Sequence, residues 1–113
     1  MKIARLAERA TEAETLLKAL ANRSRLMILC DLYGRERTVN DLCALLDVRQ
    51  PTLSQHLARL RADGIVATRR QSQTIHYSLA SEKVSRLIGL LYEFYCAPAC
   101  ARPVLSRNRS SKP

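Results

Sequence analysis

The sequence predicts a mainly α-helical domain with one small β-hairpin, in the order α-α-α-α-β-β-α. Apolar residues recur at helical spacing up to residue 64, alternate with a period of two between residues 65 and 79, and return to helical spacing from residue 82. A chain of 113 residues has the size of one domain. Because a domain of this size buries only a modest core, a second copy of the chain is a natural partner.

The first two predicted helices are amphipathic. Residues 4–20 make the first helix, and residues from about Ser24 to Tyr33 make the second. Gly34 ends the second helix, because glycine readily adopts the backbone conformation that follows many helix ends. The apolar stripe of the second helix includes Cys30. The stripe of the first helix consists of Leu6, Ala10, Ala13, Leu17 and Leu20.

Residues 38–64 predict two short helices joined by a tight turn. Thr38 and Asp41 resemble a capping box at the start of the third helix, which runs to about Leu46. Pro51 lies in the first turn of the fourth helix, where no backbone donor is needed, and the pair at 63–64 ends that helix. This is the layout of a helix-turn-helix, in which the second helix reads DNA.

The C-terminal part combines a hairpin, a very apolar helix and a basic tail. Strands at 65–70 and 74–79 flank a turn at Gln71–Gln73, and Ser81 caps a last helix over residues 82–96. That helix is apolar on more than one side, although a surface helix needs only one apolar stripe. A second copy of the helix is the simplest partner for the surplus face, and burial within one chain is the alternative. We expect residues 1–97 to form a winged-helix domain for DNA binding and dimerisation, and residues 98–113 to form a disordered basic tail.

The charge of the chain limits the class of partner. Its 19 basic and 10 acidic residues give a formal net charge of +9, which suits a polyanion or an anionic membrane surface. No apolar run is long enough to span a bilayer, and the N-terminus lacks the apolar core of a signal peptide. We therefore expect a cytoplasmic protein whose four cysteines are free, metal-binding or redox-active.

The outward face of the fourth helix carries the residue types that read DNA. Leu53, Leu57 and Leu60 must face the core, which leaves polar side chains outside. Glutamine can bond adenine in two places, serine and threonine can bond a base or a phosphate, and arginines position the backbone. Arginines near the hairpin turn commonly enter a narrow minor groove. The predicted DNA-binding residues are Gln50, Thr52, Ser54, Gln55, Arg59, Arg61, Arg69, Arg70 and Gln71.

The alternative interpretation is that these polar residues form an ordinary solvent-exposed helix face and hairpin end, with no role in DNA binding. The tight connection at 47–51 and the basic hairpin that follows favour the DNA-binding interpretation. His56, which lies beside the inward stripe, is expected to be a hydrogen-bonded histidine at the edge of the core. An enzyme is improbable, because neither His56 nor His76 has an evident catalytic partner and the chain has no phosphate-binding loop. No cofactor is predicted.

Several motifs together resemble the ArsR/SmtB family of winged-helix repressors. They are Leu17-Lys-Ala-Leu-Ala-Asn-Arg-Ser-Arg-Leu26, Asp41-Leu42, Gln50-Pro-Thr-Leu-Ser-Gln-His-Leu57, Leu60-Arg-Ala-Asp-Gly-Ile-Val66 and Ile75-His-Tyr77. The resemblance covers residues 10–96. It implies a homodimer built on the first and last helices, which binds double-stranded operator DNA and releases it when an inducer arrives.

The resemblance also decides which sensing site to expect. The arsenic-sensing type carries Cys-X-Cys-Asp-Leu-Cys where this chain has Thr38-Val-Asn-Asp-Leu-Cys43, and a single thiol cannot hold a soft ion. The zinc-sensing type needs histidines and an aspartate on the last helix, and here they are absent from residues 81–96. Cys30 and Cys96 instead match the dithiol branch related to BigR, SqrR and HlyU. That match implies a redox pair that responds to reactive sulfur species or oxidants, with Cys43 in a structural role.

Cys100 departs from the dithiol pattern and keeps alternatives open. Cys30, Cys96 and Cys100 could make a trigonal site for arsenite or another soft metal. Cys100 could also resolve a sulfenic or persulfide intermediate, or it could be an idle residue of the tail. A further alternative is a constitutive architectural DNA-binding protein whose cysteines are silent.

Overall fold

The computed structural model describes residues 1–96, which form six α-helices and one antiparallel β-hairpin. This confirms the predicted mainly helical class and the position of the hairpin. The helices and strands are α1 (Ile3–Glu8), α2 (Ala10–Leu20), α3 (Arg23–Asp31), α4 (Val39–Leu46), α5 (Gln50–Ala62), β1 (Val66–Gln71), β2 (Thr74–Leu79) and α6 (Glu82–Tyr95). The predicted tail at 98–113 lies outside the described residues and stays a prediction.

The single helix predicted over residues 4–20 is wrong, because the chain breaks at Arg9. Arg9 has φ −114° and ψ 12°, which ends α1 and starts α2. Its guanidinium bonds Glu12 in the first turn of α2. No residue of α1 is buried, so no packing holds this short segment in line with α2. The apolar stripe predicted helical structure on both sides of Arg9 but carries no information on whether the helix is continuous there.

The core lies between α3, α4, α5 and α6. Leu53, Leu57 and Leu60 are at most 1% exposed, which confirms the predicted inward stripe of α5. Each fully buried leucine or isoleucine contributes about 1.5–3 kcal/mol relative to an exposed position. The largest fully buried side chains are Ile28, Leu29, Leu32, Leu42, Leu53, Leu57, Leu60 and Ile88.

Local hydrogen bonds define the helix-turn-helix. Thr38 Oγ1 accepts from the Asp41 amide at 3.1 Å, and Asp41 Oδ2 accepts from the Thr38 amide at 3.0 Å. This confirms the predicted capping box at the start of α4. Asp47 then adopts a left-handed conformation with φ 53°, and α5 begins three residues later with Pro51 in its first turn. The turn between the two helices is therefore short and conformationally restricted.

The hairpin forms the wing of the domain. Strands β1 and β2 pair from Val66 with Leu79 to Gln71 with Thr74, which leaves a two-residue turn in which Ser72 has φ 57°. The turn predicted at Gln71–Gln73 is one residue shorter than expected, because Gln71 ends β1. Arg37 adds an isolated bridge to Tyr77 in β2. The wing is thereby attached to the segment between α3 and α4.

Helix α6 is apolar on two sides, as predicted. Ser81 caps it, with Ser81 Oγ accepting from the Val84 amide at 3.3 Å. Val84 and Ile88 are buried against the core. Large apolar side chains on the other face of α6 and on α1 and α2 are exposed: Ile3, Leu6, Leu17, Leu90, Tyr92, Phe94 and Tyr95. Among the described helices, none has the length and hydrophobicity to cross a membrane.

Candidate nucleic-acid interface and thiol pair

Helix α5 presents a polar outer face along its whole length. The side chains predicted to contact DNA on this helix are all exposed, while the leucines between them are buried. Two small hydroxyl side chains and two amides occupy the N-terminal half, where backbone N–H groups and the helix dipole also favour a phosphate. The exposed set consists of Gln50, Thr52, Ser54, Gln55, Arg59 and Arg61.

Charge is concentrated toward the C-terminal half of α5. Arg59 lies 3.7 Å from Asp63 in an ion pair in which the arginine side chain is exposed and the aspartate side chain is partly buried, and this pair neutralises part of the charge of Arg59. Arg61 is exposed on the adjacent stripe. Arginines in these positions can bond phosphates beside the groove and fix the register of the helix.

The end of α5 fixes the position of the wing. Asp63 ends the helix, Gly64 follows with φ 74°, and the Ile65 amide donates to the Leu60 carbonyl at 2.9 Å. The Gly64 amide donates to the Arg61 carbonyl at 3.0 Å. This pattern of two bonds is the Schellman motif, which requires the left-handed residue that glycine supplies. The wing therefore leaves α5 in a defined direction.

The two wing arginines have different environments. Arg69 Nε donates to Glu36 Oε2 at 3.0 Å, and Arg69 Nη2 donates to Glu36 Oε1 at 2.8 Å. Arg69 Nη1 also lies 3.4 Å from Gln71 Oε1. Arg70 Nε donates to the backbone carbonyl of Ser72 at 3.3 Å. Both arginines and Gln71 are exposed, as a DNA-contacting wing requires.

Glu36 is a residue of this surface that sequence reasoning missed. Its hydrogen bonds from Arg69 lower the pKa of the Glu36 carboxyl, and the nearby His76 contributes to the same shift. The carboxyl is therefore ionised at neutral pH. The only sequence signal was an acid between Arg35 and Arg37, which gives no indication that the partner is 33 residues away.

His56 lies at the edge of the core and is half-buried. Burial lowers the pKa of the His56 imidazole, and the positive charge of Arg25 lowers it further. The imidazole is therefore neutral at pH 7 and adds no charge to the outer face of α5.

The two cysteines predicted to form a switch lie in adjacent parts of the fold. Cys30 is half-buried on α3 and packs against the core, whereas Cys96 is exposed at the C-terminal cap of α6. Burial raises the pKa of the Cys30 thiol, and the charge of Cys96 raises it further. Helices α3 and α6, which carry the two thiols, contact each other. Cys43 also packs against the core, on α4.

A close contact between Tyr33 and Gly89 holds α3 against α6. A Cβ atom at Gly89 would lie 2.9 Å from Tyr33 Oη and 3.2 Å from two of its ring carbons. The Tyr33 amide also donates to the Cys30 carbonyl at 3.2 Å. The absent side chain at Gly89 therefore lets the phenol ring pack on α6 one turn after Cys30.

A three-ligand metal site is not formed by residues 1–96. Within that range, no group of three or more His, Cys, Asp or Glu side chains is arranged to hold a metal ion. Cys100, the third ligand in the predicted alternative with Cys30 and Cys96, lies outside the described residues. That alternative stays a prediction.

Comparison with known proteins decides the family. The profile described as "Bacterial regulatory protein, arsR family" matches residues 16–68, which span α2 to β1. A biofilm growth-associated repressor from Agrobacterium fabrum is 54% identical over 91 residues, covering 80% of this chain and 78% of that protein. The chain belongs to the ArsR family of bacterial regulatory proteins. The transcriptional activator HlyU from Vibrio cholerae is 45% identical to this ArsR-family chain over 96 residues, covering 85% and 89% of the two chains.

Solved structures agree with the winged-helix fold of this ArsR-family protein. The transcriptional repressor BigR from Xylella fastidiosa superimposes with a TM-score of 0.78 at 41% identity, covering 87% of this chain and all of that chain. A homodimeric winged helix-turn-helix DNA-binding domain from Mycobacterium bovis gives a TM-score of 0.72 at 33% identity, covering 80% and 83% of the chains. The predicted family, its BigR- and HlyU-like branch and the winged-helix fold are thus confirmed. The chain is a transcriptional regulator of the ArsR family.

Proposed function

We propose that this chain is a homodimeric repressor that releases operator DNA when Cys30 and Cys96 become covalently linked. The inducer is a reactive sulfur species or an oxidant, and the setting is the cytoplasm, where thiols are kept reduced. The observation that carries the proposal is the placement of the half-buried Cys30 on α3 and the exposed Cys96 at the C-terminal cap of α6, two helices that contact each other. The similarity to repressors such as BigR supports the repressor assignment.

Exposed apolar side chains support the dimer. The large hydrophobic side chains of Leu17 on α2 and of Leu90, Tyr92 and Phe94 on α6 are each more than 40% exposed. A second copy would cover them. The related Mycobacterium bovis domain is homodimeric. Two copies place two α5 helices in successive major grooves, about 34–36 Å apart, and so specify an inverted-repeat operator.

The exposed face of α5 supports base recognition. Gln55 and Ser54 project from the N-terminal half of the helix, where side chains of this kind reach base edges. Arg61 and Arg70 supply phosphate or minor-groove contacts. A purely architectural protein would need the arginines but would have no need of the amide and hydroxyl groups.

Exposure determines the order of the thiol chemistry. The Cys96 thiolate attacks the outer sulfur of a persulfide R–S–SH, forms a new S–S bond and expels the thiolate R–S⁻. Cys30 then loses its proton to solvent and attacks the Cys96 sulfur, which breaks the bond to the outer sulfur and expels HS⁻. The two cysteine sulfurs are oxidised to a disulfide, and the transferred sulfur leaves with the electron pair as hydrosulfide.

Related reactions give the other products. If Cys30 also carries a persulfide, its terminal sulfur attacks Cys96 in the same way, and a trisulfide forms with loss of HS⁻. With hydrogen peroxide, the Cys96 thiolate becomes a sulfenic acid and hydroxide leaves, after which Cys30 displaces a second hydroxide. Each product links the C-terminal end of α3 to the C-terminal end of α6.

The link acts on DNA binding through the dimer. Helix α6 carries the apolar face that the second copy covers, and α3 packs beside the helix-turn-helix. A covalent tie between them restricts how the two halves of the dimer are oriented. It therefore shifts the population toward a dimer whose α5 helices no longer match successive grooves.

The test measures DNA affinity and cysteine chemistry on the same samples. An operator is first selected from a library of random duplexes by the reduced protein. Fluorescence anisotropy then compares reduced protein with protein treated with glutathione persulfide, and mass spectrometry identifies the linked cysteines. We expect release by the wild type and by Cys43→Ala, and retention by Cys30→Ala and Cys96→Ala. Release by the double variant Cys30→Ala/Cys96→Ala would contradict the switch.

The same assay separates the alternatives. Loss of an arsenite response in Cys100→Ser, together with stoichiometric metal binding, would favour the soft-metal site. Equal affinity for the selected and a scrambled duplex at one salt concentration, with no response to any inducer, would favour a constitutive architectural protein.

A further inference from the structure

Glu36 occupies the loop between α3 and α4 and is attached firmly to the wing. Its neighbour Arg37 exchanges backbone hydrogen bonds with Tyr77 in β2, at 3.0 and 2.8 Å. Arg37 Nε also donates to Asp31 Oδ2 at 2.9 Å, an ion pair in which both side chains are less than one-third exposed. These contacts of Arg37 fix the loop against β2 and therefore hold Glu36 beside the hairpin.

The carboxylate of Glu36 engages Arg69 as a phosphate would. Both carboxylate oxygens accept, one from Nε at 3.0 Å and one from Nη2 at 2.8 Å. This two-point geometry is the one in which arginine also binds a phosphate group. Arg69 lies on β1 directly opposite His76. In the free protein, the Arg69 guanidinium that would bind DNA is therefore already bound to Glu36.

Arg70 provides an internal comparison. Its guanidinium donates to the neutral carbonyl oxygen of Ser72, and that contact does not compensate its charge. The two adjacent arginines of β1 thus differ in the charge that they present to a polyanion. The sequence alone does not distinguish the two arginines, because both are basic residues near a hairpin turn.

We propose that Glu36 is a specificity-determining residue for DNA binding, which holds Arg69 in an internal ion pair and withholds its charge from non-cognate DNA. The proposal rests on the operator binding proposed above. To bind Arg69, DNA must displace Glu36 from the guanidinium group. A single phosphate would not bind this guanidinium more strongly than the Glu36 carboxylate does. A narrow minor groove, where the negative potential is enhanced, supplies the additional attraction. Arg69 therefore engages only where the groove has that shape.

The consequence for non-cognate DNA can be measured as a salt dependence. The slope of log K against log salt is negative, and each phosphate neutralised by the protein makes it steeper by about 0.9. A dimer has two wings, so release of both Arg69 side chains from Glu36 adds about 1.8 to that slope. Over a fourfold change in salt, this corresponds to about a 12-fold larger loss of affinity.

The experiment compares Glu36→Gln with the wild type on a scrambled duplex and on the selected operator, with reduced protein throughout. We expect Glu36→Gln to bind the scrambled duplex more tightly at low salt, with a slope steeper by about 1.8 and a smaller ratio of operator to scrambled affinity. Glu36→Gln/Arg69→Gln should return the slope to the wild-type value. Arg70→Gln should weaken scrambled binding, because no carboxylate of the described residues compensates the charge of Arg70.

Glu14→Gln is the matched control for net charge, because Glu14 forms an exposed ion pair with Lys18 on α2, away from the wing strands. An unchanged slope in Glu36→Gln, or an equal gain in Glu14→Gln, would refute the proposal. Weaker operator binding in Glu36→Gln with an unchanged slope would also refute it, since Glu36 would then only position Arg69. Because all samples are reduced, failure of the thiol switch leaves these results unaffected. If operator recognition fails, the wild type will bind the selected and the scrambled duplex with equal affinity. The salt slope on scrambled DNA will still show whether Glu36 withholds the charge of Arg69.

Discussion

Replacement of Leu57 by alanine tests whether α5 is held in place by the core. Leu57 is 1% exposed and lies in the middle of the inward stripe between Leu53 and Leu60. Leu57→Ala removes three carbon atoms, and at about 0.8 kcal/mol for each buried methylene the lost transfer free energy is about 2.4 kcal/mol. A cavity that does not collapse adds about 24 cal/mol for each Å³ that remains.

The expected total is a loss of about 2.5–5 kcal/mol in the free energy of unfolding. Domains of this size have about 5–15 kcal/mol in all, so the variant should remain mostly folded in the absence of denaturant. Urea unfolding followed by circular dichroism measures the loss, at a fixed protein concentration because dimerisation contributes to stability. Arg61→Ala is the control on the same helix, and we expect it to change stability by less than about 0.5 kcal/mol.

The outcome also separates folding from recognition. Leu57 does not reach the outer face of α5, so the folded fraction of Leu57→Ala should keep the operator preference of the wild type. A loss below about 1 kcal/mol would show that α5 is not packed as described. Normal stability with loss of operator preference would refute the separation of inward and outward faces.

Three further predictions follow from the same structure. Gln55→Ala should lower operator affinity by about 1–3 kcal/mol per half-site and leave scrambled binding unchanged, whereas Arg61→Ala should weaken both duplexes and reduce the salt slope; equal losses for Gln55→Ala on both duplexes would exclude a base contact. Thr38→Ala should cost about 1 kcal/mol in urea unfolding, because the Asp41 amide loses its acceptor, and Thr38→Ser, which keeps an oxygen, should restore most of it. In Cys43→Ala/Cys96→Ala/Cys100→Ala, Cys30 is the remaining thiol, and burial should keep its pKa raised. The rate of its alkylation by iodoacetamide should therefore increase at a higher pH in the native protein than in urea. Coincident profiles of alkylation rate against pH would show that Cys30 is not shielded.

Features set by neighbouring residues could be predicted from the sequence. The buried stripe of α5 follows from leucines at positions 53, 57 and 60, and the capping box follows from Thr38 and Asp41 three residues apart. The break at Arg9 could not be predicted, because the apolar spacing continues through it and only the lack of packing around α1 separates the two helices. Local patterns are reliable where one short segment contains all the interacting groups.

The candidate sites depend more on contacts between distant segments. The ion pair of Glu36 with Arg69 joins residues 33 positions apart, and no pattern in the sequence links them. The pairing of Cys30 with Cys96 was implied by resemblance to a family, since the cysteines are on different helices and sequence gives no separation between them. The contact between α3 and α6, which carry the two thiols, is information that only the fold supplies.

The fold also connects the thiol pair with the wing. Cys30 directly precedes Asp31, which bonds Arg37, and Arg37 pairs through its backbone with Tyr77 in β2. Helix α3 therefore carries both the thiol of the proposed switch and the side chain that anchors the loop preceding α4. A covalent tie at Cys30 acts on a helix whose C-terminal end is already fixed to the hairpin, so strain introduced by the tie is shared with the wing. In the proposed repressor, the recognition helices and the wing would consequently lose their fit to DNA together.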